Sequence, residues 1–299
     1  MDVVSEIAKL KKERNAIILV HNYALPEVQD IGDFVGDSLE LSRKAAATKA
    51  PVIVFCGVRF MAETAKILSP DSIVIHPRPE AGCLMADMAD EKQVAEYRAA
   101  HPDALLVAYV NTTAATKTGV DICCTSGNAE KVIRSIPADK EIMFLPDANL
   151  GSNVSNTLKR AMGLWHGCCP IHDAIRPEAI AKARAAQPGA RVIVHPECKP
   201  EIVALADAAK STGGMLSFIR DSNAKEFIIG TECGMLHRLQ KEFPGKVFYS
   251  LDPIPVCKDM KLITLEDVRD SLENMGPAVE LPAGTIEKAR HSIEAMLKI

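Results

Sequence analysis

The 299-residue chain is poor in aromatic residues, at 4%, and its charge is nearly balanced, with 39 acids against 35 bases for a formal net charge of -4. Both shortages argue against nucleic acid as a partner, because phosphate backbones need a basic face and unpaired bases need aromatic platforms. The short basic cluster Lys9 to Arg14 is interrupted by Leu10 and Glu13 and reads as the wet face of a helix. No apolar run approaches the ~20 residues that span a bilayer, and the opening MDVVSEIAKLKKERN carries charges every few positions. Neither a membrane span nor a secretion signal is therefore expected, and the expected compartment is the cytoplasm. No Gly-x-Gly-x-x-Gly follows a strand and no Walker phosphate loop occurs, so the usual signals for nicotinamide and nucleotide-triphosphate chemistry are missing.

What is present is ordinary globular material, 47% hydrophobic and 25% charged, with enough length for two or three small cores. The nine cysteines are an odd number, and in a reducing compartment disulfides explain them poorly. Metal ligation, catalysis or burial must account for them.

A β-branched run ending in a polar pair occurs three times, as IILVHNY at Ile17 to Tyr23, LLVAYVN at Leu105 to Asn111 and RVIVHPE at Arg191 to Glu197. His21, Tyr109 and His195 are spaced by 88 and 86 residues. The same offsets relate Asp33, Asp121 and Asp207, and likewise Ser38, Ser126 and Thr212. Within each copy strands alternate with helices, the pattern of a parallel sheet covered on both faces. The expected fold class is α/β, with three three-layer αβα domains of small parallel sheets around a central site. The expected limits are 1–86, 87–172 and 173–258, with helical stretches in 259–299 packing back on the first domain. Ligands of parallel sheets sit beyond the carboxyl ends of the strands, where His21, Tyr109 and His195 fall. A solenoid-like folding module is the plainer alternative, but matched polar strand ends favour a shared pocket.

Cys83, Cys169 and Cys257 are spaced by 86 and 88 residues, so each unit delivers one thiol. Three soft sulfur donors suit a 4Fe-4S cluster, and the missing fourth leaves one open iron able to act as a Lewis acid in dehydration chemistry. Widely spaced cysteines alone are more often simply buried. Cys56, Cys123, Cys124, Cys198 and Cys233 fall outside the register and read as structural. Cys168 adjoins Cys169 and competes with it, although Cys169 gives the better offsets.

Taken together, HNY at His21 to Tyr23, GDS at Gly36 to Ser38, FMAETAKIL at Phe60 to Leu68, GCLMA around Cys83, YVNTTAATK at Tyr109 to Lys117, CTSGNA around Ser126, CPIH around Cys169, VHPEC around His195, STGGM at Ser211 to Met215 and GTECGM around Thr231 resemble the quinolinate synthase family over nearly the whole chain. The resemblance implies a pseudo-threefold enzyme with a central 4Fe-4S cluster on three cysteines. It implies substrates iminoaspartate and dihydroxyacetone phosphate, loss of phosphate and water, and a product, quinolinate, used for NAD biosynthesis. An aspartate-oxidising enzyme is then the expected functional link.

Within that frame Ser38, Ser126, Ser211 and Thr212 are expected at helix N-termini, where backbone N–H groups and the dipole favour carboxylate or phosphate, although each also suits an ordinary cap. His21, Tyr23, Tyr109, His195 and Glu197 supply proton donors and acceptors, with Asn111 able to orient a carboxylate or carbonyl. Glu197 with Tyr23 is the expected acid–base pair, and His21 and His195 the substrate grips. Phe60 and Met61 are expected in the pocket wall. His172, close to Cys169, stays open, while His76, His101, His166, His237 and His291 read as surface or structural. Other readings are a 4Fe-4S hydro-lyase on a small hydroxy acid, a cluster-based iron or redox sensor, and structural zinc on the three thiols.

Overall fold

The apolar runs that begin each third of the chain have no polar face, so each strand must be covered on both sides. In the computed structural model, which describes residues 2–299, that requirement is met three times in the same way. The first sheet holds β1 (Ala16–His21), β2 (Phe34–Gly36), β3 (Val52–Cys56) and β4 (Ile73–Ile75). The second holds β5 (Leu105–Tyr109), β6 (Ile122–Cys124), β7 (Ile142–Leu145) and β8 (Gly163–Leu164), and the third β9 (Arg191–Val194), β10 (Ala208–Ala209), β11 (Glu226–Gly230) and β12 (Val247–Ser250). Each sheet runs second, first, third, fourth strand, and all pairings are parallel.

Alternation along the strands divides the core. Ile18, Val20 and Val54 face an outer core under the helices of the first sheet; Leu106, Ala108 and Leu145 do so in the second, and Val192, Val194 and Ile228 in the third. Their neighbours Leu19, Phe55, Val107, Phe144, Ile193 and Phe227 point the other way into one continuous core shared by all three sheets. The inner faces are thus fused, which holds the carboxyl ends of the central strands near one another.

The repeated aspartates have a local task. Asp33, Asp121 and Asp207 each accept a bond from a backbone amide of the central strand, from Ile18 at 2.8 Å, Leu106 at 2.8 Å and Val192 at 2.7 Å. Each is met by a base of the preceding helix: Lys11 at 2.7 Å, Arg98 at 2.7 Å and Arg184 at 3.1 Å.

Two helices follow the third sheet. Leu265–Asn274 lies against Val3–Glu13 and β3 of the first unit. Ala283–Leu297 does not stay there; it packs mainly on β6 and the short helix Ala114–Lys117 of the second unit, while touching the first at Arg59–Leu68. The reason is its apolar face: Ala289, Ile293 and Met296 complete the outer core of the second sheet. Among the described residues no helix is long and apolar enough to cross a membrane.

Candidate active site

A sheet in which the first strand connects to one side and the chain then returns to the other opens a crevice at the carboxyl ends. The three crevices share one cavity of about 270 Å³. His21 ends β1, Tyr109 ends β5 and His195 follows β9; all three line it, together with Tyr23, Ser38, Cys83, Asn111, Ser126, Cys169, Glu197, Thr212 and Cys257. Phe60 and Met61 are in its wall. Of the expected residues only Ser211 is absent from the lining. Its hydroxyl instead accepts from the Gly214 amide at 3.1 Å and caps the helix Thr212–Asp221.

A buried chain of hydrogen bonds crosses the cavity wall. The Tyr109 hydroxyl donates to Glu197 Oε1 at 2.5 Å, and His172 Nδ1 lies 2.7 Å from Glu197 Oε2. His172 Nε2 meets Thr231 Oγ1 at 2.8 Å, and that hydroxyl meets the Tyr23 hydroxyl at 2.5 Å. Two phenols from two sheets are thereby linked through a carboxylate and an imidazole. Burial raises both phenols well above the ordinary tyrosine range, and the Glu197 charge raises them further, so they act as O–H donors. Burial works against ionisation of Glu197, but His195 and His172 beside it, with the hydrogen bonds from His172 and Tyr109, outweigh it and hold the carboxyl below its usual range.

His21 and His195 share a local geometry. Each Nδ1 accepts from the amide two residues on, Tyr23 at 3.2 Å and Glu197 at 3.3 Å. That bond assigns the ring proton to Nε2, the nitrogen left to bond a ligand. Burial, reinforced by the His195 charge at His21, lowers both rings to about 3. They are neutral donors at physiological pH.

The thiols of Cys83, Cys169 and Cys257 come from three different units and reach the same cavity, all free. Cys168 is outside the lining, its amide bonded to Met88 Sδ at 3.4 Å. Burial pushes Cys83 up to about 12 and raises Cys169 and Cys257, with Glu197 adding to the first two. Soft, half-buried donors whose thiols resist ionisation fit a group that brings positive charge and takes thiolates. Cys169, His172 and Glu197 also bring donor atoms within 4.8 Å of one another, a set that could hold a metal. Cys56, Cys123, Cys124 and Cys198 are buried away from this cavity, and Cys233, only half-buried, is also outside its lining.

The anion grip differs from expectation. Ser38 and Thr212 are the first residues of their helices, but Ser126 lies in a turn before Ala129–Ser135. The Leu39 and Glu40 amides are already taken by Asp37, at 3.0 and 2.9 Å. Hydroxyls rather than a bare helix end are therefore what Ser38, Ser126 and Thr212 offer. Gly213 is glycine for a steric reason, since an added Cβ would stand 2.8 Å from the Asp37 carboxylate. Asn111 Oδ1 is buried with no partner on the cavity wall, an acceptor left for a ligand.

Thr231, Glu232 and the bonding role of His172 were not expected. Each occurs in one unit only, so the threefold register carried no signal for them; the CPIH and GTECGM segments were their only mark.

A buried acid–base chain beside free thiols, at the common edge of three parallel sheets, defines an α/β enzyme that works on a small molecule. The chain matches the family described as Quinolinate synthetase A protein over residues 5–298. It is 52% identical over 298 residues to the Quinolinate synthase of Desulforudis audaxviator, covering 100% of this chain and 98% of that relative. It is 49% identical over 297 residues to the Quinolinate synthase of Geobacter metallireducens (99% and 97% covered) and 49% identical over 294 residues to that of Methanoregula boonei (98% and 97%). The chain belongs to the quinolinate synthetase A family.

Proposed function

We propose that the chain joins iminoaspartate to dihydroxyacetone phosphate, expels phosphate and water, and closes the pyridine ring of quinolinate for NAD biosynthesis in the cytoplasm. The observation that carries this reading is the meeting of Cys83, Cys169 and Cys257, one thiol per unit, on a cavity that also holds the Tyr109–Glu197 pair. An aspartate-oxidising enzyme is the expected source of the unstable imine.

The three thiols would hold a 4Fe-4S cluster, which when bound supplies an iron with an open position able to polarise a departing hydroxyl. The rest is the work of the chain's own residues. Carbon–carbon bond formation requires a proton to leave the carbon beside the imine, and Glu197, held by Tyr109 and His172, is the ionised acceptor in the cavity. Tyr23, tied through Thr231 and His172 to that carboxylate, is positioned to return a proton to a departing oxygen. The Nε2–H groups of His21 and His195 grip carboxylates, Asn111 Oδ1 accepts from a nitrogen-bound proton, and the hydroxyls of Ser38, Ser126 and Thr212 receive phosphate or carboxylate oxygens. Burial of the whole set shields the hydrolysable imine from water.

A second reading follows from the Cys169, His172 and Glu197 donor set, which is of the type that takes a single zinc ion. It leaves Cys83 and Cys257 unexplained. Supplying dihydroxyacetone phosphate with oxaloacetate and ammonia, which form iminoaspartate, separates the readings. The expected result is quinolinate and phosphate in equal amounts, with Glu197→Gln slower by about 10²-fold or more. Dehydration of a simple hydroxy acid with no phosphate release would support a hydro-lyase, and absence of turnover in both the parent and Glu197→Gln, with the cluster intact, a sensor.

A further inference from the structure

Cys257 has no regular element to hold it. The segment 251–258 between β12 and the 3-10 turn Asp259–Lys261 is neither helix nor strand. Two hydrogen bonds tie it to the turn after β11: the Cys233 amide donates to Pro255 O at 2.9 Å, and the Cys257 amide donates to Glu232 Oε1 at 3.2 Å. Glu232 is 1% exposed and is itself fixed, its Oε2 accepting from the Gly234 amide at 2.7 Å. Lys261 Nζ lies 3.0 Å from Oε1 and 3.1 Å from Oε2, and it also donates to the backbone carbonyl of Tyr23 at 2.5 Å. Three separate stretches therefore meet at one ion pair: the turn after β1, the turn after β11 and the loop of the third thiol.

Glu232 borders the cavity and Lys261 is half-buried between the two turns. A Cβ on Gly234 would stand 2.7 Å from Lys261 Nζ and 2.8 Å from the Tyr23 backbone, so only glycine lets the lysine pass between the two turns. Apolar side chains of the same volume would fill this space without the desolvation that a buried ion pair must overcome. What the charges add is direction. A carboxylate can accept the Cys257 amide while facing the ammonium, and the ammonium can reach the Tyr23 carbonyl at the same time.

We propose that Glu232 and Lys261 are positioning residues that lock the Cys257 loop to the Tyr23 turn, so that the third thiol and the proton donor Tyr23 keep one fixed relation. This rests on the reading of Cys257 as a cluster ligand, whereas the mechanical lock itself can be read in the metal-free chain. The experiment compares the parent with Glu232→Gln and Lys261→Met. In metal-free protein, the rates at which iodoacetamide alkylates Cys257 and Cys83 are followed by peptide mass spectrometry. The lock predicts that Cys257 reacts severalfold faster in both variants while Cys83 is unchanged; a general loosening of the fold would accelerate both thiols. After anaerobic reconstitution with iron and sulfide, release of iron to a chelator should be about 10-fold faster in the variants, the effect typical of losing a group that orients a metal ligand. In turnover, kcat should fall more than KM changes. Unaltered or unselective Cys257 alkylation in both folded variants overturns the lock. If the parent takes up no iron while the alkylation pattern holds, the lock stands and the cluster reading fails.

Discussion

Lys117 is wholly buried in the second unit, its ammonium donating to the Thr112 carbonyl and lying 5.5 Å from the centroid of the Phe60 ring. Burial lowers it to about 8 against the pull of Cys123, Glu63 and Cys83. The folded chain thus releases this proton near pH 8, while the unfolded chain keeps it to about 10.4. Between those values the unfolded state binds more protons, so stability rises with pH across the window, and the penalty is present in full below it. The difference corresponds to about 3 kcal/mol. Urea unfolding of the metal-free chain should show stability increasing between pH 8 and 10 by more in the parent than in Lys117→Met; equal slopes would mean the ammonium is not buried as described. Residues of this kind were hard to read from sequence. Lys117 ends the YVNTTAATK segment, yet nothing in its spacing marks a lysine at zero exposure, and His172, Thr231, Glu232 and Lys261 each occur once, outside any repeat.

The repeated elements were legible because the same folding problem is solved three times. Strand, helix and strand recur at offsets of 88 and 86 residues since each unit builds the same sheet order. The repeated polar residues, however, have two different causes. His21, Tyr109 and His195 recur because they end the central strands at the cavity, whereas Asp33, Asp121 and Asp207 recur because each fastens the start of the second strand to the body of the first. Spacing alone does not separate a site from a staple; the end of the strand does. Replacing Asp33, Asp121 or Asp207 by Ala should lower stability by about 1–2 kcal/mol each, the worth of a partly exposed charged hydrogen bond, measured by urea unfolding. Iron uptake should be unaffected. A loss of iron without a loss of stability would instead place these aspartates in the site.

At the scale of the whole molecule, the shared inner core explains why three small sheets act as one enzyme. Residues from all three line a single wall of hydrogen bonds, and the helix Ala283–Leu297 joins the second unit to the first, through Ala289, Ile293 and Met296 and through Arg290, which donates to the Ile67 carbonyl at 2.7 Å. That last connection was not legible, because an amphipathic helix shows which face it buries and not against which neighbour. Convergence of one thiol from each unit is the claim on which the account turns, and metal content tests it most directly. Anaerobically reconstituted chain should carry about four iron and four acid-labile sulfide with the broad visible absorption of a 4Fe-4S centre. Cys83→Ser, Cys169→Ser and Cys257→Ser should each lose most of it, and Cys168→Ser should keep it. Colourless protein that binds only zinc, or a cluster that survives in Cys257→Ser and is lost in Cys168→Ser, would contradict the account.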